Sequence, residues 1–208
     1  MSNTLHIGDL PDDVTFGPVV AVDTETLGLN PHRDRLCLVQ LSAGDGTCHL
    51  VQLNKREGSD IDYSAPNLKR LLANPNVLKL FHYARFDIAT LYHHLEIQVQ
   101  PIYCTKIVSR LTRTYTDHHG LKDLCRELLD IDLSKQQQSS DWGAPELSEA
   151  QLNYAAQDVL HLHRLKQILD TMLDRESRRE IANACFTFLP TRAALDLQGW
   201  PDIDIFAH

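Results

Sequence analysis

The chain lacks an excess of positive charge: 20 lysines and arginines face 28 aspartates and glutamates, a formal net charge of −8 over 208 residues. Tight binding to a long nucleic acid draws mainly on basic contacts to many phosphates, so this balance argues against wrapping one. No apolar run approaches the ~20 residues needed to span a bilayer. The first residues, M-S-N-T-L-H-I-G-D-L-P-D-D, are acidic and lack the positive start and apolar centre of a secretory leader. The five cysteines (37, 48, 104, 125 and 185) are odd in number and scattered, with no C-x-x-C pair. That argues against a disulfide framework or a zinc site, and for buried thiols in a reducing compartment. Cytoplasm, without membrane attachment, is the expected location. Internal repeats are absent, and the one low-complexity stretch is Gln136–Gln138. The rest is ordinary globular composition, 43% hydrophobic and 23% charged. A single domain over 1–208, with a C-terminal helical extension and tail, is expected.

The most informative stretch is Val19–Leu29, V-V-A-V-D-T-E-T-L-G-L. Val19 to Val22 are β-branched or small, as a buried strand requires. Asp23 and Glu25 follow two apart, which in an extended chain puts both carboxylates on one face. Two adjacent anions repel and are costly to hold near a core, so a divalent cation with oxygen ligands is their natural partner. Solvated acids at a strand end are the alternative.

Further along, Leu36–Ser42 and Thr47–Leu53 read as strands joined by the turn Ala43-Gly44-Asp45-Gly46, which predicts an antiparallel meander. A short helix over 67–73, a strand over 77–81 and a helix over 84–95 follow. The remainder is mostly helical, over 105–113, 121–129, 149–174 and 176–195. These elements make an α/β or α+β arrangement, a mixed sheet flanked by helices. Ser148-Glu149-Ala150-Gln151 has the form of a capping box and marks the start of the late helix. On that helix Tyr154 and Asp158 stand at i, i+4 and share one face. The stretch F-H-Y-A-R-F-D, residues 81–87, leaves Asp87 in or near the first turn of the helix over 84–95, where the dipole alone would accommodate it.

Asp23, Glu25, Asp87 and the pair Tyr154/Asp158 arrive in a recognisable order. The chain resembles the DEDD superfamily of 3′–5′ exonucleases, with D-x-E on the first strand, an Asp after a later strand, and Y-A-A-Q-D as the tyrosine (DEDDy) form of the third motif. It is most similar to ribonuclease D, including L-S-K-Q-Q-Q-S-S-D-W before that motif. At this length it is too short for the helical domains that follow the catalytic one there. The compact nanoRNase C family is a nearer resemblance, through T-D-H-H-G-L-K-D-L (116–124) and the ending G-W-P-D-I-D-I-F-A-H.

The resemblance implies an RNase H-like fold and hydrolysis of very short RNAs, notably dinucleotides, to nucleoside 5′-monophosphates. It implies two divalent cations, Mg²⁺ or Mn²⁺, held by Asp23, Glu25, Asp87 and Asp158, with Tyr154 orienting the attacking water. General-base action by Tyr154 is the weaker reading, because a free tyrosine titrates near pH 10. It also implies a ring-shaped homo-oligomer, an octamer. Thr26, Leu29, His82, Tyr83, Lys135, Gln138, Ser139 and Ser140 are candidate contacts to a short single-stranded RNA. Leu29 is either a wedge between bases or a core residue packing the turn; Lys135, Gln138, Ser139 and Ser140 are either a 5′-phosphate grip or a solvated loop. His118-His119 could cap the substrate. His161 and His163, two apart on a helix, point to different sides and do not share a metal. The rival readings are a ribonuclease D-like trimmer of longer or structured RNA, acting also on DNA, and a catalytically idle nucleic-acid-binding scaffold. An idle scaffold needs no such set of acids.

Overall fold

The β-branched run before the acids forms strand β2 (Val19–Thr26) in the computed structural model, which describes residues 2–53, 61–134, 137 and 140–207. The sheet also contains β1 (Ser2–Ile7), β3 (Leu36–Ser42), β4 (Thr47–Gln52), β5 (Leu78–Phe81) and β6 (Ile102–Cys104), in the order β1-β4-β3-β2-β5-β6. The meander β2-β3-β4 is antiparallel, as its turn chemistry predicts. Gly44 and Gly46 there take φ of 81° and 88°, which glycine adopts without steric cost. β1, β5 and β6 pair parallel, so the sheet is mixed. β3 is buried along its whole length, which is why L-C-L-V-Q-L-S is almost continuously apolar instead of alternating.

Helices α1 (Pro66–Ala73), α2 (Ala84–Leu95), α3 (Thr105–Thr112) and α4 (Leu121–Leu129) fall within a residue of their predicted positions. The single helix expected over 149–174 is instead two, α5 (Glu149–Leu160) and α6 (Leu162–Arg175), parted at the buried His161. Buried Ala155, Val159, Leu162, Leu165, Leu169 and Leu173 keep helical spacing straight through the break, so periodicity could not reveal it. α7 (Arg179–Leu197) completes the order. β6 has no counterpart in the sequence reading, since three residues cannot display an alternation.

One apolar core runs from Leu10 to Ala193, with α5 laid across β2, β3 and β4. β5 pairs with β2 only as far as Ala21, after which the chain leaves the sheet and turns into α2. That departure frees the edge of β2 beside its acids. No helix among the described residues is long and apolar enough to cross a membrane.

Candidate active site

Asp23 and Glu25 both lie on β2, and the pleat sends them to the same face. Asp158 meets them from α5. The start of α5 is set by a complete capping box, in which Ser148 and Gln151 satisfy each other's backbone N–H groups. Carboxylate oxygens of Asp23, Glu25 and Asp158 lie within 4.8 Å of one another. Asp87 approaches along the open edge of β2, where the Thr24 hydroxyl donates to its Oδ1 at 2.7 Å. It is buried, and it stands one step apart from the trio. Tyr154, one turn before Asp158, is half-buried with its ring 6.1 Å from that of the buried Trp142.

Burial and mutual repulsion push all four acids above the usual carboxylate range. For Asp23 burial leads, followed by the charges of Asp87, Asp158 and Glu25. Glu25 is raised to about 9 by burial, then by Asp158 and Asp87. Asp158 is raised to about 7 by burial. Asp87 also reaches about 7 through burial, although the Thr24 hydrogen bonds pull it back. Among the described residues, no cation appears among the neighbours acting on these acids. The donor set is therefore all oxygen, converging and short of positive charge, and it fits a hard divalent ion.

A family model described as 3′–5′ exonuclease matches residues 9–174. The chain belongs to the 3′–5′ exonuclease family. This exonuclease chain is 35% identical over 161 residues to the ribonuclease D of Gluconacetobacter diazotrophicus, covering 77% of itself and 39% of that relative. It thus spans about two-fifths of the length of such curated relatives. Similarity to Brucella melitensis NrnC with bound Mg²⁺ extends over 100% of both chains, at 55% identity and a TM-score of 0.91. With NrnC bound to pGG the identity is 56% and the TM-score 0.93, over 100% of this chain and 99% of that one. Escherichia coli RNase D, at 24% identity and a TM-score of 0.72 over 85% of this chain and 45% of that one, shares the fold.

The exonuclease's other predicted contacts divide into three groups. Leu29 is 84% exposed, which overturns its reading as a core leucine. Its loop is tied down instead: a Cβ at Gly28 would lie 2.3 Å from Asp34 Oδ2, so only glycine fits, and Asp34 accepts from the Asn30 N–H. The Thr26 hydroxyl donates to the Gly28 carbonyl within this turn and so shapes the loop. Leu29 and Tyr83 line a cavity of about 510 Å³ with Arg85 and Phe86.

His82 pairs with Thr105 Oγ1 at 2.9 Å, and burial drives its pKa down to about 3, so it stays neutral. Tyr83 is 48% exposed with a left-handed φ of 69°, and the Lys106 ammonium stands 4.1 Å over its ring. Ser140 donates to Gln137 Oε1. Lys135, Gln138 and Ser139 lie outside the described residues. His119 Nδ1 pairs with Ser109 Oγ, and the His118 carbonyl accepts from the buried Arg113.

Sequence reasoning missed the residues that support the site. Gln40, on β3, faces Asp23 in register and points its amide at both strand acids. Arg35, Gln52 and Gln151 donate to carbonyls of Gly143, Ala144 and Asp141, fastening the segment that carries Trp142. A glutamine inside an otherwise apolar strand was the available signal for Gln40.

The raised acids carry a stability consequence for the metal-free protein. A carboxyl whose folded pKa exceeds its unfolded value stabilises fully below about pH 4, and that stabilisation is lost as pH rises through the folded value. For Asp87 and Asp158 the loss is complete above about 7, and for Glu25 above about 9. Melting in the presence of a chelator should therefore show Tm falling by several degrees between pH 5 and pH 9. Added Mg²⁺ should reverse the fall at the alkaline end. A Tm that rises with pH under chelation would contradict this electrostatic picture.

Proposed function

We propose that the protein is a divalent-metal-dependent 3′–5′ exoribonuclease acting on very short oligoribonucleotides and releasing nucleoside 5′-monophosphates. The converging trio Asp23, Glu25 and Asp158 carries the catalytic half of this reading. Those three, with Asp87, would hold the ions, Mg²⁺ or Mn²⁺. When bound, two such ions supply an acidified water and neutralise charge on the scissile phosphoryl group. Tyr154 is assigned the orientation of the attacking water. In the metal-free protein burial, then the charges of Asp158, Glu25 and Asp23, raise its pKa further above the ordinary tyrosine value. An ordinary tyrosine already titrates at about pH 10, which favours positioning over general-base action. The exposed Leu29 is a surface on which a terminal base can stack, with Tyr83 beside the same cavity.

The short-substrate half rests on similarity along the whole chain to an NrnC seen with pGG, a 5′-phosphorylated dinucleotide, and on the acidic balance of the chain. Product analysis on 5′-phosphorylated RNAs, from two-mers to twenty-mers, with Mg²⁺ and with Mn²⁺, tests it. The rate should be highest on two-mers and should depend only weakly on salt, because few phosphates are gripped. Equal rates on two-mers and ten-mers, or a steep salt slope, would restore the ribonuclease D-like trimmer.

A homo-oligomer, a ring by family resemblance, and a cytoplasmic location belong to the same reading. The tail is docked on its own domain through its backbone. Arg85 and Arg192 pair with Asp196 and donate to the carbonyls of Pro201 and Trp200. Its side chains nonetheless remain outside: Trp200, Ile203, Ile205 and Phe206 are 40–67% exposed. An apolar cluster of this kind suits a subunit interface. Replacing Ile203 and Phe206 by Asp should lower the assembly mass measured by light scattering. An unchanged mass would remove the tail from the interface.

A further inference from the structure

Gln40 is polar, yet it sits within the fully buried strand β3, with 0% of its surface exposed. Its place is set by the register: in the antiparallel β2–β3 pair it lies directly opposite Asp23. From there Nε2 reaches Asp23 Oδ2 at 3.3 Å and Glu25 Oε1 at 3.5 Å. An amide nitrogen has two N–H groups, so one glutamine can serve both carboxylates at once. Both contacts are longer than the usual range of about 2.7–3.2 Å for an N–H···O bond, so in the metal-free protein the amide holds each acid only loosely. The other end of the amide is unengaged: Oε1 is buried and has no hydrogen-bond partner among the described residues. A buried glutamine with an idle acceptor is costly to retain unless it does something an apolar residue cannot.

We infer that Gln40 is a positioning residue that sets the rotamers of Asp23 and Glu25 for a divalent ion, leaving its carbonyl oxygen to accept from a water held in the site. This role for Gln40 rests on the binding of a divalent ion by Asp23 and Glu25. Without the amide, the two carboxyl groups would lose the donor nitrogen they share, and their rotamers would be less fixed. The ion would then have to reassemble its ligands on binding. As a neutral donor, Gln40 orders the acids without competing for their charge. A lysine at the same place would neutralise them and displace the ion. Residues that hydrogen-bond metal ligands are commonly worth about 10–100-fold in affinity.

The test is calorimetric titration of the metal-free protein with Mn²⁺ alone, supported by far-UV spectra and melts of each variant. Gln40→Met keeps the volume and removes the donor. Gln40→Glu keeps the shape and replaces the donor with an acceptor. Gln40→Met is expected to bind Mn²⁺ about 10–100-fold more weakly at unchanged helical content, with a correspondingly smaller Mn²⁺-induced rise in Tm. Gln40→Glu should depart from wild type as well, because its acid either repels its neighbours or joins the ligands. A purely structural glutamine would change the metal-free Tm and leave the Mn²⁺ affinity alone, and that result in either folded variant overturns the inference. Wild-type protein that binds no Mn²⁺, or binds it no better than Asp23→Asn, would instead overturn the metal reading itself.

Discussion

Asp23→Asn is expected to reduce hydrolysis by roughly 10³–10⁴-fold or more, the equivalent of several kcal/mol of lost transition-state stabilisation. Asp23 is the acid on which the other three act together: Asp87, Asp158 and Glu25 all raise its pKa. An asparagine keeps the shape and the backbone of β2 but offers the ion a neutral oxygen. The fold should survive, because the strand is held by its pairing with β3 and β5 and not by the carboxylate. The same substitution should raise the metal-free Tm at pH 8, since it removes one member of a repelling cluster. Rate and stability thus move in opposite directions, which a general folding defect cannot produce. Near-wild-type turnover by a well-folded Asp23→Asn would reject metal-assisted hydrolysis at this site. A lowered metal-free Tm would reject the repulsion argument.

Tyr154→Phe should slow the reaction by roughly 10²–10⁴-fold, the range for one placed catalytic group. The effect should fall on kcat with little change in KM. The ring remains packed against Trp142, so the variant removes only the hydroxyl. A hydroxyl that positions water without ionising should leave the wild-type pH–rate profile free of an alkaline limb below about pH 9. Trp142→Ala should give a milder loss by loosening the same ring. Full activity in Tyr154→Phe would leave the tyrosine a packing residue, and a pH profile that titrates with it would restore general-base action.

Much of the acid set was legible because its geometry is local. Two residues apart on a strand share a face, and four apart on a helix share a face, whatever the rest of the chain does. Asp23/Glu25 and Tyr154/Asp158 are therefore readable as pairs from spacing alone. The capping box at Ser148 and the glycine turn between β3 and β4 are local for the same reason. Leu29 was not legible. Whether a turn leucine packs inward depends on what the rest of the fold places beside the turn, and here it is left 84% exposed.

The amino-acid sequence by itself determined the strand that bears the first two acids, the helix that bears the last two site residues, and the antiparallel meander, because each depends on neighbours a few positions away. Only the tertiary structure decided how those pairs meet. β5 stops pairing at Ala21, and this opens the edge of β2 where Asp87 docks on Thr24, 63 positions earlier in the chain. Asp9 caps the first turn of α1 through the N–H groups of Asn67 and Leu68, a bond no sequence window contains. The helix break at His161 is hidden under uninterrupted apolar spacing. Gln40 gains its meaning only from the register that sets it across from Asp23. Such contacts are settled by which surfaces the core brings together, and a buried polar group finds its partner wherever packing places one.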